Sequence, residues 1–234
     1  ILDGSLNEYT NINELLPSYR QILTDSIIYN NDSEYDSTTN KIIGGNITDK
    51  ALLSFAGQNK KDTIKIIDKI MFNSQNKYSI SIIEKNNKKI KLIKGAPDVL
   101  LKYTTNYIDE NGKSKYLDKE KLMSIIKEKT NKGIRAIAIS TSQSIYPTDN
   151  IRRNILVGII FIKDEIRKEA RDGLNLIKSA GINTIMVTGD SKETATSIAK
   201  EVGIVSNNAD VILSSNELSK INEKANALIN GNIY

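Results

Sequence analysis

The chain has 234 residues, of which 39% are hydrophobic and 26% charged, and it contains no Cys, His or Trp. This composition is typical of a globular protein of one or two domains. It excludes a Ser-His-Asp triad, a Cys nucleophile, a disulfide framework and the usual zinc sites. Any catalysis must use carboxylates, hydroxyls, Lys, Arg, backbone amides and a hard metal such as Mg²⁺.

The net charge of +5 comes from basic residues that are dispersed along the chain. A nucleic-acid-binding protein usually concentrates such charge on one stripe, so this class is the least favoured. The longest apolar run, Ile155–Ile162, is far shorter than the roughly 20 residues that a membrane-spanning helix needs. The first residue is not Met and the last residues carry no obvious stop, from which we expect an excised piece of a longer protein.

The first part of the chain combines predicted helices with polar segments. A helical pattern has Pro17 in its first turn and continues to Ile28. The stretch Asn30–Asn40 is rich in Asn, Asp, Ser and Thr and is predicted to be a mobile loop. A second helix is predicted over Thr48–Phe55, with Thr48 as its N-cap.

The middle of the chain predicts paired strands. Apolar and polar residues alternate on both sides of Asn86-Asn87, which is typical of a hairpin. The segment Gly95-Ala96-Pro97 ends the second strand and begins a helix. Asn111-Gly112 indicates a turn, Lys119–Thr130 an amphipathic helix, and Arg135–Thr141 another strand.

The last part of the chain has a different order of elements. Ile155–Ile162 predicts a strand buried on both faces. A helix over Arg167–Ser179, a buried strand over Asn183–Val187 and a helix over Ser191–Val202 are predicted to follow. Because this order is typical of a βαβα unit with a parallel sheet, we expect an α+β part followed by an α/β part. The boundary is predicted near Asp164.

Two segments have the chemistry of ligand sites. Thr188-Gly189-Asp190 follows a predicted parallel strand and precedes a helix, where amides and a hydroxyl can hold a phosphoryl group. A turn with a helix cap explains the same residues, and spacing alone favours it. Lys94-Gly95 lets a flat ligand approach the backbone, or is a turn beside a solvated Lys. Gly112-Lys113-Ser114 is not a P-loop, because Tyr107 stands where the leading Gly is needed.

Two charged segments are equally ambiguous when taken alone. Asp164 and Arg167 follow the apolar run and fit either a paired hinge or an acidic helix start. Arg135 begins a predicted strand, where it either reaches a phosphate or lies on the surface.

The order of these motifs resembles the cytoplasmic part of P-type cation-transporting ATPases, in particular the calcium-pump-like group. That family carries KGAP, then a Gly-apolar-Arg segment, then DxxR, then AGI leading into Met-apolar-TGD, followed by TA, IA and a Gly-Ile pair. This chain carries these motifs at Lys94–Pro97, Gly133–Arg135, Asp164–Arg167, Ala180–Ile182, Met186–Asp190, Thr194-Ala195, Ile198-Ala199 and Gly203-Ile204.

Two further segments match the family with substitutions. Gly45–Leu52 resembles GxPTExAL, with Ile47 in place of Pro and Asp49 in place of Glu. Phe72–Ser79 resembles the family's F-[DS]-S-x-R-K-M-S, with Asn76 where Arg is usual and Tyr78 where Met is usual.

The resemblance implies a domain organisation. Residues 1–10 are an opening segment, and residues 11–163 are a nucleotide-binding domain, an α+β fold with a mostly antiparallel sheet and flanking helices. Residues 164–234 are then part of a phosphorylation domain, an α/β Rossmann-like fold of the haloacid dehalogenase superfamily.

The resemblance also assigns roles to residues of an ATP site. Phe72 stacks on the adenine ring, a contact that any purine offers. Lys94 and Gly95 line the same pocket, while Thr48 and Asp49 bind near the adenine edge.

The resemblance places the remaining residues near the phosphates or at the hinge. Lys77 and Arg135 meet the phosphates through charge-assisted hydrogen bonds, and Asp164 and Arg167 lie at the hinge between the domains. The catalytic segment that faces the transferred γ-phosphate is Thr188, Gly189 and Asp190.

The implied parent protein is a membrane pump that couples ATP hydrolysis, with Mg²⁺, to cation transport, and Ca²⁺ is the expected ion. This segment lies on its cytoplasmic side, and its partners are ATP, the transmembrane and actuator parts, and the rest of the phosphorylation domain. The family's phosphorylated motif DKTGT and its Mg²⁺-binding motif GDGxND are absent here. We therefore expect ATP binding without formation of the phosphoenzyme. The alternatives are a stand-alone nucleotide-binding or regulatory module, or a fragment of a dehalogenase-like phosphatase.

Overall fold

The computed structural model describes residues 1–58, 61, 63–163, 168–188, 192–205, 212–214 and 217–221. The chain divides into two compact units, and each is described by itself. The first unit comprises Ile1–Glu128 and Ile134–Ile162, and the second comprises Lys129–Gly133 and the described part of Lys163–Tyr234. Within the described ranges, no helix combines the length and apolar character that crossing a membrane requires.

Helices and strands are interspersed along the chain. The helices are α1 (Pro17–Ile28), α2 (Ile47–Ala56), α3 (Pro97–Leu100), α4 (Lys119–Asn131), α5 (Lys168–Ser179) and α6 (Lys192–Val202), with short 3-10 turns at Ile12–Glu14 and Leu101–Tyr103. The strands are β1 (Ser33–Tyr35), β2 (Ile42–Gly44), β3 (Lys65–Asn73), β4 (Tyr78–Lys85), β5 (Lys88–Gly95), β6 (Thr104–Ile108), β7 (Ser114–Tyr116), β8 (Arg135–Ser142) and β9 (Asn154–Ile162).

A seven-stranded sheet with the order β3-β4-β5-β8-β9-β6-β7 forms the centre of the first unit. Its pairs are antiparallel except for β6 and β9, which are parallel. Asn86 and Asn87 join β4 to β5 with positive φ angles of 52° and 57°, the backbone that a two-residue hairpin turn requires. The α+β class with a mostly antiparallel sheet is confirmed.

Apolar residues fill both faces of this sheet. On one face, α1 and α2 pack through Tyr19, Leu23 and other buried residues against Ile83 and Val157. On the other face, α3 and α4 pack against the strands, and Leu122 is among the buried residues of this second core. Because strand side chains alternate between faces, the two cores share one sheet and fix its register.

The predicted place of the run Ile155–Ile162 in a parallel α/β sheet is wrong. The run forms most of β9, which pairs antiparallel with β8 and parallel with β6 inside the first unit. A fully apolar strand is suited to any position buried on both faces, so the run itself does not determine the direction of its neighbours. Leu2, from the predicted opening loop, also pairs with Ile159 through two backbone hydrogen bonds of 2.8 Å.

The strand predicted over Asn183–Val187 is also wrong. These residues form no strand, and the side chains of Ile185 and Val187 are 84% and 90% exposed. A strand needs a neighbour for its hydrogen bonds, and the run predicted as that neighbour belongs to the sheet of the first unit. The described elements of the second unit are helices. α5 and α6 agree with the predicted helices to within one residue, and Ala199 and Val202 of α6 are buried.

The polar segment that begins at Asn30 is not the mobile loop that its composition predicts. It contains β1, which pairs with β2, and Asn30, Asn31 and Ser33 are buried. The sequence also does not predict the strands β3, β6 and β7, because their polar residues obscure the alternation of period two.

Candidate functional site

A pocket of about 780 Å³ opens at one end of the sheet in the first unit. The residues that line it come from the turn before α2 and its first turn, the end of β3, the turn before β4, the end of β5 and the start of β8. They are Gly45–Lys50, Phe72, Lys77, Lys94–Ala96 and Arg135–Ile137. These segments meet because Gly95 pairs with both Tyr78 and Ala138, which aligns the start of β4, the end of β5 and the start of β8.

The pocket brings together the described residues that the sequence assigned to nucleotide binding. They are Thr48, Asp49, Phe72, Lys77, Lys94, Gly95 and Arg135. These residues are widely separated in the sequence, so their convergence is a property of the fold.

A buried ion pair joins two sides of the pocket. The Lys94 ammonium donates a hydrogen bond to Oδ1 of Asp49, and the two residues are only 6% and 3% exposed. Asn46 Nδ2 donates to Asp49 Oδ2 at 3.0 Å, and the Asp49 amide donates to Asn46 Oδ1 at 3.0 Å. The Asp49 carboxylate is thereby fixed by a cation and an amide at the start of α2.

Asn46, and not Thr48, is the N-cap of α2, so the predicted cap is wrong by two residues. The Asn46 side chain accepts from an orphan amide of the first turn, as an N-cap does. Thr48 has another contact: Nη1 of Arg135 donates to its hydroxyl at 2.8 Å. This bond links the start of β8 to the start of α2 across the pocket.

Cationic side chains lie at the exposed part of the pocket. Lys50, Lys77 and Arg135 are all exposed. Lys77 Nζ lies 3.7 Å from a carboxylate oxygen of Asp98, and both side chains are more than half exposed, so this pair is weak. Because the buried Asp49 is already neutralised by Lys94, the exposed part of the pocket keeps positive charge for an anionic ligand.

The backbone near Lys77 explains why Gly stands at position 95. A Cβ atom on Gly95 would lie 2.6 Å from the Lys77 carbonyl oxygen and 2.7 Å from Cβ of Tyr78. Lys77 itself has a φ of +60°, and its carbonyl accepts from the Ala96 amide at 2.9 Å. The absence of a side chain at Gly95 therefore makes room for the neighbouring turn that carries Lys77.

Phe72 presents a large aromatic ring beside these polar groups. It lies near the end of the edge strand β3, and 48% of it is exposed. Half-exposed aromatic rings are suited to offset stacking on another flat ring. The pocket thus combines a stacking surface, a buried ion pair and exposed cations.

The remaining predicted site residues belong to the later part of the chain. Thr188 is an exposed residue of the second unit. Gly189, Asp190, Asp164 and Arg167 lie outside the described residues.

Seven lining residues were not assigned a role from the sequence, namely Gly45, Asn46, Ile47, Lys50, Ala96, Ala136 and Ile137. Each lies within two residues of a motif position, so closeness to a motif was the available signal. Within the described ranges, no group of three or more Asp or Glu side chains is arranged to hold a metal ion.

Comparisons with known proteins identify relatives of one kind. Residues 18–169 match a family model described as P-type ATPase, cytoplasmic domain N. Calcium-transporting ATPase 1 of Saccharomyces cerevisiae is 29% identical over 99% of this chain and 26% of its own length. Calcium-transporting ATPase 1 of Bacillus cereus is 27% identical over 94% of this chain and 26% of its own length. The plasma membrane-type calcium-transporting ATPase 10 of Oryza sativa is 32% identical, over 82% of this chain and 20% of its own length. The chain therefore spans about a quarter or less of these relatives.

Proposed function

Because this chain belongs to the P-type cation-transporting ATPases, matching their cytoplasmic domain N over most of its length, we propose that its pocket binds ATP. The observation that carries the proposal is the convergence of distant motif residues on one cavity of about 780 Å³. A random set of motif matches would have no reason to meet at one end of a sheet.

Each part of the pocket suits one part of the nucleotide. The exposed ring of Phe72 offers a stacking surface for adenine. The paired Asp49 and Lys94 present an acceptor and a donor at the inner side, where the polar edge of the base needs partners. Lys77 and Arg135 lie at the exposed side, where charge-assisted hydrogen bonds to phosphate oxygens are strongest.

We expect the affinity to be low. Asn76 occupies the place where the family motif has an Arg, so one cation is missing from the turn that carries Lys77. The main-chain amide of Asn76 donates to Oδ1 of Asn73 at 3.0 Å, inside the turn. A dissociation constant of roughly 0.1–1 mM, or about −4 to −5.5 kcal/mol, follows for a site with few charged contacts.

The proposal extends to the organisation of the chain. Residues 11–163 form the nucleotide-binding domain, and residues 164–234 belong to the phosphorylation domain with its dehalogenase-like fold. In the complete pump, Asp164 and Arg167 lie at the hinge, and Thr188, Gly189 and Asp190 face the transferred phosphoryl group. Since the chain contains neither DKTGT nor GDGxND, it supplies the donor site and does not itself form the phosphoenzyme.

The parent protein in this proposal is a membrane pump that uses ATP with Mg²⁺ to move a cation. Ca²⁺ is the first candidate ion, because the relatives are named calcium-transporting. Among the residues that the structure describes, no group of three or more acidic side chains is arranged to hold Mg²⁺. The rest of the pump is the partner of this segment.

Calorimetric titration with ATP tests the proposal, with Phe72→Ala as the variant and Met71→Ala as its matched control. Met71 is the preceding residue on β3, is 64% exposed and does not line the pocket. We expect saturable binding by the wild type and by Met71→Ala, and about 5- to 150-fold weaker binding by Phe72→Ala, since base stacking contributes about 1–3 kcal/mol. Absence of binding by the folded wild type would contradict the proposal.

A further inference from the structure

A short segment behind the pocket, Asn30–Asp32, connects α1 to β1. Asn30 and Asn31 are 1% and 8% exposed, although their composition is that of a surface loop. None of the three residues lines the pocket. Buried amide side chains need hydrogen-bond partners, and the partners of these residues determine what the segment holds in place.

Asn30 fixes the segment to the sheet. Its Nδ2 donates to the carbonyl oxygen atoms of Ser79 at 3.1 Å and Leu92 at 3.2 Å, on β4 and β5 respectively. Ser79 is the cross-strand partner of Lys94, and Leu92 precedes Lys94 by two residues on the same strand. The segment is therefore attached where the strands position the buried Lys of the pocket.

Asn31 fixes the segment to α2. Its Nδ2 donates to the main-chain carbonyl of Asp49 at 3.0 Å, while its Oδ1 accepts from the Ser33 amide at 2.7 Å. Both ends of the amide are used, so the orientation of the side chain is determined. Asn31 therefore holds the main chain of Asp49, and the carboxylate of Asp49 binds Lys94.

Lys69 attaches the edge strand to the same segment. Its Nζ donates to the Asn31 carbonyl oxygen and to Oδ1 of Asp32, each at 2.6 Å. Lys69 precedes Phe72 by three residues on β3. The three elements that carry Phe72, Asp49 and Lys94 are thus joined at one segment outside the pocket.

We propose that Asn30–Asp32 positions the walls of the pocket and that Asn31 is its principal positioning residue. This inference rests on the proposed ATP site, for which Asn31 sets the place of the Asp49–Lys94 pair without touching the ligand. Groups that orient a binding residue affect affinity when they are removed, and in metal sites such changes cost about 10–100-fold.

The substitution Asn31→Asp is the most specific test. It keeps the size of the side chain and the Oδ1 acceptor for Ser33, but it replaces the donor to Asp49 by an oxygen. Asn154→Asp is the matched control: Asn154 is 1% exposed, and its Nδ2 also donates to backbone carbonyls, at 2.8 Å to Ile151, without lining the pocket. Both variants lose a buried amide donor, so both are expected to lose stability.

Two measurements separate positioning from stability, both made at a temperature where every variant is folded. The first is the dissociation constant for ATP by calorimetry. The second needs no nucleotide: it is the rate at which an amine-acylating reagent labels Lys94, read by mass spectrometry. Lys94 is buried and paired in the wild type, so its labelling reports whether the pair is held.

We expect Asn31→Asp to weaken ATP binding about tenfold and to accelerate labelling of Lys94 several-fold, whereas Asn154→Asp changes neither. Unchanged affinity, or unchanged labelling, in folded Asn31→Asp would overturn the inference. If the wild type binds no ATP, the proposed function fails, and unchanged Lys94 labelling in Asn31→Asp would overturn the positioning role separately. If Asn31→Asp does not fold, Lys69→Met replaces it in the test. This variant removes the bonds from Lys69 to the Asn31 carbonyl oxygen and to Asp32. It must then weaken ATP binding and accelerate labelling of Lys94, or the inference is overturned.

Discussion

The buried pair of Asp49 and Lys94 allows a prediction of the free energy of unfolding. The two residues are 3% and 6% exposed, so neither charge is well solvated once its partner is removed. In Lys94→Met the aliphatic stem remains, while the Asp49 carboxylate keeps only the Asn46 amide at 3.0 Å and its backbone surroundings. Removal of one partner of a buried pair costs about 3–5 kcal/mol. We expect about 3 kcal/mol, because the Asn46 contact remains.

The double variant Asp49→Asn with Lys94→Met isolates the interaction. Neither side chain is then charged, so the double variant leaves no uncompensated buried charge. We therefore expect the double variant to be less destabilised than Lys94→Met alone, with a coupling free energy of about 2 kcal/mol in the double-mutant cycle.

Urea unfolding followed by tyrosine fluorescence measures these free energies. The chain has no Trp, and all its tyrosines except Tyr234 lie in the first unit, so the signal reports the unit that contains the pair. The m-value should stay constant across the variants if only the folded state is changed. A loss below about 1 kcal/mol in Lys94→Met, or additive effects in the cycle, would refute this reasoning.

Two further predictions concern backbone space and pH. Gly95→Ala forces a Cβ to within 2.6 Å of the Lys77 carbonyl oxygen, so we expect a loss of about 1–3 kcal/mol and weaker ATP binding; urea unfolding and calorimetry check both, and unchanged values would show that the turn yields freely. The Lys113 amide and the Lys115 side chain hold the pKa of Asp109 below its usual value. A lowered folded-state pKa stabilises the fold above the unfolded-state pKa, and this stability is lost as the pH falls through the folded-state pKa. Asp109→Asn should therefore flatten acid unfolding below about pH 4, and an unchanged profile would contradict this assignment.

Local signals in the sequence predicted those elements whose causes are local. The hairpin with Asn86-Asn87 and the amphipathic helix α4 are found within one residue of the predicted bounds. β9 was predicted as a strand, but its pairing with β8 and β6 was not, because an apolar run does not encode the direction of the neighbouring strands. The edge strand β3 was not predicted, because its polar residues obscure the alternation of period two and its burial pattern does not alternate.

The sequence predicted the residues of the candidate site only at motif positions. Residues such as Phe72, Lys94 and Arg135 follow from the resemblance to the family, and the structure adds their convergence. The side-chain Nδ2 groups of Asn30 and Asn31 donate to carbonyl oxygens between 18 and 62 residues away. Composition indicates a loop for such a segment, because its long-range partners leave no periodic signal in the local sequence.

Binding of ATP in the pocket of the first unit can be followed residue by residue. Its most direct test is a titration of the ¹⁵N-labelled chain with ATP, followed by amide correlation spectra. We expect the largest shifts at Thr48, Phe72, Lys94 and Arg135, saturating together, and no shifts at the distant hairpin turn of Asn86-Asn87. Saturating shifts located elsewhere in the chain, or unchanged spectra at millimolar ATP, would contradict binding in this pocket.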